Sequence, residues 1–161
     1  MAGMIRIDLN HQIMLFEDDQ GKNYVWPISS GLKGIGELEG SGCTPRGKHR
    51  IYSKIGDGAP INSVFVGRQW TGEIFTEELA QKNPDRDWIL TRILQLSGLE
   101  EGFNLGGNRD SLQRYIYIHG TPDQTKLGQP GSKGCIRMNN KHLLQLFDKV
   151  ALNDMVEICA L

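Results

Sequence analysis

The chain has 161 residues, of which 39% are hydrophobic and 23% charged, and its formal net charge is -1 at pH 7. This composition is typical of a single globular domain, and we expect one domain over residues 1–161. Lysine and arginine are scattered along the sequence, so no nucleic-acid partner is expected. No apolar stretch approaches the roughly 20 residues that span a bilayer, which argues against a membrane span.

The first half of the sequence predicts mainly strands. Ile5, Ile7 and Leu9 alternate with polar residues, which is the period-2 pattern of a half-buried strand. Further strands are predicted at 13–16, 24–28, 48–55 and 64–66, the first two of them joined as a hairpin by a polar turn at 17–21. Residues 31–42 contain five glycines and predict a loop, and a turn follows from Thr44 to Gly47.

The second half predicts a mixture of helix and strand. Residues 76–81 and 88–96 have helix-compatible spacing. Residues 114–119 predict a strand with three side chains on one face: Tyr115, Tyr117 and His119.

A helix and a final strand are predicted near the end of the sequence. Asn139 or Asn140 is suited to cap the helix, and Met155 to Ile158 predict the strand. The apolar face of the helix would consist of Leu143, Leu144, Phe147 and Val150. The predicted fold class is therefore mainly β with a few helices.

The segment from His119 to Arg137 concentrates the residues that could carry chemistry. A loop rich in glycine and proline leads from His119 back to Cys135, and it would bring the thiol within reach of the imidazole. A free cysteine has a pKa of about 8.5, and a nearby imidazolium would lower it toward neutrality. Gly134 permits a sharp turn, so the amides of Gly134 and Cys135 are candidates to stabilise an oxyanion. Arg137 could bind a substrate carboxylate through its planar fork.

The alternative interpretation of this segment is structural. Cysteine is often a small buried residue, and a histidine can simply be satisfied in the core. For either residue alone that interpretation would prevail, but the combination in one glycine-framed segment favours a catalytic pair. The other cysteines and histidines carry no comparable pattern, and none has metal-ligand spacing: Cys43, Cys159, His11, His49 and His142. We expect neither a metal nor a cofactor.

His119-Gly120 and the segment 132–137, which reads SKGCIR, resemble the HG…[S/T]xGCxR motif of the L,D-transpeptidase catalytic domain, also called the YkuD domain. The similarity extends to Thr44-Pro45-x-Gly47, to Thr91-Arg92 and to residues 114–118. It covers the chain from about Ile5 to Ile158. Lys133 departs from the histidine that many members carry there.

The resemblance implies a β-sandwich-like catalytic domain that acts on the peptide stems of peptidoglycan. Cys135 would attack the carbonyl at the L-centre of diaminopimelate, expel the terminal D-Ala and form a thioester. His119 would act as acid and base, and the Gly120 carbonyl would orient its ring. The resemblance also implies carbapenems as covalent inhibitors. Further substrate-binding residues would be Ser132, Gly134, Arg137, Tyr117 and Arg92, although Tyr117 could equally serve sheet packing and Arg92 could brace a loop.

Several functions remain open at this point. No secretory signal is visible, which favours a cytoplasmic L,D-carboxypeptidase that trims tetrapeptides or muropeptides in murein recycling. If a leader was removed, a periplasmic or cell-envelope L,D-transpeptidase that forms cross-links becomes the better hypothesis. A catalytically silent module that binds wall fragments is the alternative from another class. A metal-dependent hydrolase lacks a credible ligand set.

Overall fold

The computed structural model describes residues 3–160, which form ten strands, two α-helices and one short 3-10 helix. The helices are α1 (Glu77–Lys82), α2 (Asn140–Lys149) and the 3-10 helix Gly107–Arg109. The strands are β1 (Met4–Asp8), β2 (Ile13–Glu17), β3 (Asn23–Ser29), β4 (Gly47–Ile55), β5 (Ser63–Val66), β6 (Gln69–Ile74), β7 (Ile89–Gly98), β8 (Tyr117–Gly120), β9 (Ile136–Met138) and β10 (Met155–Cys159).

All ten strands belong to one sheet with the order β4-β10-β1-β2-β3-β9-β8-β7-β5-β6. An additional antiparallel pairing of β4 with β7 closes eight of the strands into a ring, and the β5-β6 hairpin extends from β7. Two pairs are parallel, β1 with β10 and β8 with β9. The predicted fold class, mainly β with a sandwich-like core, is confirmed.

The buried apolar residues divide into two clusters. The larger one fills the space between the sheet and α2, and Leu143, Leu146 and Phe147 are the helix residues that enter it. The smaller one contains Phe65, Ile93 and Tyr117, with Cys135 packed against it. Side chains alternate between the faces of a strand, so Ile118 joins the larger cluster and its neighbour Tyr117 the smaller one.

Both helix caps follow ordinary hydrogen-bond chemistry, and both predicted helices at 76–81 and after residue 139 are confirmed. Thr76 Oγ1 accepts from the amide of Leu79 at 3.1 Å at the start of α1. Asn139 Oδ1 accepts from the amides of residues 141 and 142 at the start of α2. The predicted apolar face of α2 needs one correction, because Leu144 is only half-buried and Leu146 takes its place in the core.

Two predictions of secondary structure were wrong. Residues 88–96 are not helical, because β7 occupies 89–98 and pairs with β4, β5 and β8. Nearly every residue of β7 is buried, so both of its faces carry buried side chains and the alternation typical of a half-buried strand is missing. The strand predicted from Arg114 begins only at Tyr117, since Tyr115 has a φ of 58° and is exposed. Strands β6 and β9 were not predicted.

Candidate active site

The adjacent parallel strands β8 and β9 bring the motif residues together. Their register pairs His119 with Arg137 and Ile118 with Ile136. Cys135 immediately precedes β9 and packs beside Tyr117 in the smaller cluster. The imidazole and the guanidinium thus come from paired positions of two hydrogen-bonded strands, and the thiol comes from the residue just before β9.

His119 is almost completely buried, and its ring is held by its own strand. Nδ1 lies 2.6 Å from the carbonyl oxygen of Gly120. A carbonyl can only accept, so Nδ1 carries the proton and Nε2 presents its lone pair. No residue among 3–160 makes a hydrogen bond to Nε2. Burial lowers the pKa of His119, although the Gly120 carbonyl and the charge of Asp87 oppose this, so the resting imidazole is neutral.

Gly120 cannot be replaced by a larger residue without movement. A Cβ at this position would overlap the carboxamide of Asn140 and the carbonyl of Leu90. The Asn140 side chain is buried, accepts from Thr91 Oγ1 at 2.6 Å and donates to the carbonyl of Thr121 at 2.8 Å. This buried network ties β7, β8 and α2 together directly behind His119. Asn140 was predicted only as a possible helix cap, because its place in this network has no local signal in the sequence.

The Cys135 thiol has backbone partners in the resting structure. Sγ lies 3.3 Å from the carbonyl oxygen of Tyr115, to which it donates, and 3.3 Å from the amide of Tyr117, from which it accepts. No hydrogen bond joins Cys135 to His119 in the described chain. Burial raises the pKa of the thiol to about 12, against the opposing effect of the Tyr117 amide. The expected thiolate beside an imidazolium is therefore not the resting form.

The turn that presents Cys135 is built around Ser132 and Gly134. Ser132 Oγ donates to the Cys135 carbonyl at 2.5 Å and accepts from the Gly134 amide at 3.1 Å. Gly134 has a φ of +126°, which favours glycine, and a Cβ there would lie 3.1 Å from the carbonyl of Cys43. The expectation for the oxyanion site changes accordingly: the Gly134 amide is occupied by Ser132, and the Cys135 amide remains the candidate.

The glycine-rich loop at 31–42 is attached to this turn through Thr44. Its Oγ1 donates to the Gly134 carbonyl at 2.8 Å and accepts from the Gly31 amide at 2.8 Å. Arg114, which lies shortly before β8, donates to the Cys43 carbonyl at 2.7 Å and so holds the segment that follows the loop. Between the loop and the turn runs a groove of about 440 Å³, lined by Leu32, Lys33, Gly40, Gly42, Gly131, Ser132, Lys133 and Arg137.

Arg137 reaches this groove but is already engaged. Its guanidinium donates to the Gly131 carbonyl at 2.9 Å and to Asp87 Oδ1 at 3.1 Å. The side chain is 18% exposed, and its Nε is buried without a hydrogen-bond partner among the described residues. The acidic partner Asp87 was not identified from the sequence, because fifty positions separate the two residues.

Tyr117 and Arg92, the two less specific candidates, lie in different places. The Tyr117 ring packs in the smaller cluster, and its hydroxyl accepts from Arg68 at 3.2 Å. Arg92 donates to the carbonyls of Ala59 and Thr91, and its guanidinium stacks on the Phe147 ring at 5.4 Å. The structure therefore places Tyr117 beside Cys135, and it places the Arg92 guanidinium against Phe147 of α2.

The other two cysteines, Cys43 and Cys159, lie apart from the motif residues in sequence, and their thiols face backbone carbonyls. All three cysteines are free, and the thiols of Cys43 and Cys159 face the carbonyls of Lys33 and Ile7. Over residues 3–160, His, Cys, Asp and Glu side chains form no group of three that could hold a metal ion. No helix in the same range is long and apolar enough to cross a membrane.

A partly buried thiol just before β9 and a histidine on β8 with one uncommitted nitrogen are the chemically reactive side chains that the fold places here. The sequence matches the L,D-transpeptidase catalytic domain (YkuD) over residues 2–158, and the chain belongs to this family. No curated protein matches the sequence.

Solved L,D-transpeptidases share the fold. The enzyme from Xylanimonas cellulosilytica is 19% identical, with a TM-score of 0.55 over 98% of this chain and 60% of its own. L,D-transpeptidase 3 from Mycobacterium tuberculosis, with a faropenem-derived adduct, is 16% identical, with a TM-score of 0.59 over 98% and 60%. The Enterococcus faecium enzyme is 18% identical, with a TM-score of 0.58 over 99% and 50%. The chain thus spans between half and two thirds of these structures.

Proposed function

We propose that this protein cleaves the L,D bond between diaminopimelate and the terminal D-Ala of peptidoglycan tetrapeptide stems through a thioester on Cys135. Family membership supports an enzyme that modifies peptidoglycan. The observation that carries the proposal is the state of His119: its Nδ1 is fixed on the Gly120 carbonyl, and its other nitrogen is left to accept a proton, on the strand next to the one that Cys135 precedes.

The neutral resting pair implies general-base catalysis. The thiol releases the Tyr115 carbonyl, and His119 Nε2 takes its proton as the sulfur attacks the carbonyl at the L-centre of diaminopimelate. The Cys135 amide supports the oxyanion of the tetrahedral intermediate. His119 then gives the proton to the departing amine of D-Ala, which leaves a thioester on Cys135. A second nucleophile, deprotonated by His119, releases the shortened stem and restores the thiol.

The nature of that second nucleophile decides the product. Water gives an L,D-carboxypeptidase that converts tetrapeptide to tripeptide, whereas an amine gives the cross-link of an L,D-transpeptidase. We propose water, and with it a role in murein recycling in the cytoplasm. The partial burial of Cys135 supports this choice, because water reaches a thioester at a partly buried residue more easily than an amine on a wall polymer does.

Mass analysis of the products from purified tetrapeptide, with and without an added amine acceptor, tests both parts of the proposal. We expect tripeptide and free D-Ala in both reactions. Cys135→Ser should abolish turnover with the fold intact, while Cys43→Ser, a free cysteine outside the pair, should behave as wild type. EDTA should have no effect. A predominant amine adduct would identify a transpeptidase, and an unmodified tetrapeptide would refute the proposed activity.

Carbapenems provide an independent measurement of the nucleophile. The Mycobacterium tuberculosis relative carries an adduct derived from the penem faropenem, and we propose that the carbapenems, which are related β-lactams, acylate Cys135 in the same fold. The intact mass should rise by one drug molecule, and Cys135→Ala should stay unmodified. Labelling at Cys43 or Cys159 would contradict the assignment.

A further inference from the structure

Asp87 is held in a defined position by its two neighbours in the chain. Arg86 donates to both carboxylate oxygens of Glu73, at 3.2 and 2.9 Å. Trp88 meets the Phe75 ring edge-on at 5.1 Å, and the Arg86 guanidinium lies over the Trp88 ring at 4.5 Å. Because both flanking side chains are anchored, the carboxylate of Asp87 is presented at a fixed place.

That carboxylate meets the guanidinium of Arg137. Asp87 Oδ1 lies 3.1 Å from an Arg137 nitrogen, and the two side chains are 31% and 18% exposed. Oδ2 of Asp87 makes no hydrogen bond within residues 3–160, and Arg137 retains unused N–H groups. A single ion pair that keeps partial contact with solvent contributes only modestly to stability, so stability alone explains it poorly. What the pair offers is one free acceptor and free donors side by side.

The pair lies beside the residues proposed to do the chemistry. Arg137 is the register partner of His119 and lines the groove next to Ser132. The charge of Asp87 raises the pKa of both His119 and Cys135, and the charge of Arg137 lowers both, so both charged groups are close enough to act on the catalytic pair.

We propose that Asp87 and Arg137 together bind a zwitterionic α-amino-acid end, with its ammonium group on Asp87 and its carboxylate on Arg137. The inference rests on the proposed function and names the part of the substrate that is recognised. The side chain of diaminopimelate ends in a free ammonium and a free carboxylate on one carbon. Lysine in the same stem lacks the carboxylate, and the terminal D-Ala lacks the ammonium because its nitrogen is acylated.

Binding to an inactive protein tests this inference separately from turnover. We would measure, by calorimetry on a Cys135→Ala background, the Kd of three tetrapeptides: the diaminopimelate stem, the same stem acetylated on its D-centre nitrogen, and the lysine stem. The test variant is Asp87→Asn. The control is Glu157→Gln, which breaks a remote ion pair with Arg6 at 3.0 Å and similar exposure. Thermal melting of each variant reports on folding.

We expect the diaminopimelate stem to bind most tightly and Asp87→Asn to weaken it about tenfold or more, the scale of a lost charge-assisted hydrogen bond. The acetylated stem should be nearly insensitive to Asp87→Asn, and Glu157→Gln should change no Kd. Equal loss for all three stems would assign Asp87 to site architecture, and tighter binding would mean that Asp87 competes with the ligand carboxylate. Either result overturns the inference.

Free D-alanine is also a zwitterion, so it forms a separate arm of the experiment. Asp87-dependent binding of D-alanine without Asp87-dependent binding of the stem would overturn the assignment to diaminopimelate. Turnover of the tetrapeptide by the wild type is measured in parallel. Discrimination in binding without turnover would refute the proposed function and leave the recognition site standing, whereas turnover without discrimination would do the reverse.

Discussion

Two buried histidines, His49 in β4 and His119 in β8, show how similar surroundings serve different purposes. Both rings are almost inaccessible, and in both Nδ1 faces a backbone carbonyl, that of Gly47 at 3.0 Å and that of Gly120 at 2.6 Å. They differ at Nε2. His49 Nε2 lies 2.8 Å from Ser111 Oγ, whereas Nε2 of His119 has no hydrogen-bond partner in the described structure. A buried imidazole with both nitrogens occupied supports the fold; one with a free nitrogen is available for proton transfer.

The comparison also shows that a shifted pKa alone does not identify a catalytic histidine. Burial lowers the pKa of His49 to about 4 and lowers that of His119 as well. The direction and the main cause are the same. What separates the two sites is the occupancy of the second nitrogen and the strand pairing, because only His119 lies on a strand next to β9, which Cys135 immediately precedes.

Replacing each of the two histidines with alanine should give the largest effects, on turnover in one variant and on stability in the other. His119→Ala should reduce turnover about 100-fold or more, the scale of general acid-base catalysis, with the fold retained. His49→Ala should leave the turnover per folded molecule unchanged and lower the free energy of unfolding by about 2 kcal/mol, because it leaves a cavity and unpaired polar groups. Steady-state assays and denaturant melts measure the two effects. Similar losses of turnover in both variants would contradict the division of roles.

Gly120→Ala addresses the carbonyl that orients His119. The added Cβ would overlap the Asn140 carboxamide and the Leu90 carbonyl, so the backbone has to shift. We expect a destabilisation of about 1–3 kcal/mol, typical of overpacking, together with a loss of turnover larger than the unfolded fraction explains. Denaturant melts and steady-state assays of tetrapeptide turnover measure the two effects. A fully active and stable variant would show that the backbone at Gly120 can shift without disturbing His119.

Folding stability should decrease as the pH falls, because the buried histidine rings are neutral in the folded protein. Histidine in the unfolded chain has a pKa of about 6.5, so it binds a proton as the pH falls below that value. Folded His49 has a pKa of about 4 and stays neutral over the same range, so protonation favours the unfolded state. Stability should therefore fall by up to about 1.4 kcal/mol per pH unit for each such ring. The lowered pKa values of Asp18 and Glu37 act only at lower pH, below about 4.5. Urea melts between pH 7 and 5 should show a smaller slope in His49→Gln.

Ser111→Ala is the smallest of these changes. It leaves His49 Nε2 buried without its partner at a cost of about 1–2 kcal/mol, and turnover should be unaffected. Ser41→Ala, at a half-buried hydroxyl of the glycine-rich loop, serves as the comparison. If Ser111→Ala lowered the turnover per folded molecule, His49 would have to be counted as part of the active site.

The sequence was sufficient for the elements and residues whose signal is local. Alternation predicted β1, and the spacing of His119, Gly120 and Cys135 in a short motif predicted a candidate site whose members the fold brings together. The roles of those residues stay predictions. Local patterns also explain the capped helices α1 and α2.

What the sequence could not indicate depends on contacts between distant segments. The network of Asn140 with Thr91, and the pairing of Asp87 with Arg137, join residues about fifty positions apart through side chains with no distinctive local pattern. Strand β7 was predicted as a helix because burial on both faces removes the period-2 pattern. The neutral state of Cys135 follows from burial, which appears only once the chain is folded.

The position of β9 in the sheet has a consequence for how the protein folds. This short strand lies between β3 and β8, and it pairs Met138 with Ile28 from near the other end of the described chain. Pairings of such long sequence separation form slowly, because the loop-closure entropy is lost before the contacts are gained. Until then Cys135 has the ordinary thiol pKa of about 8.5 and no packing around it. The Cys135 thiol should therefore react faster with oxidants and alkylating agents while the chain folds than after folding is complete. Pulse labelling of Cys135 during refolding would measure when the sheet is completed.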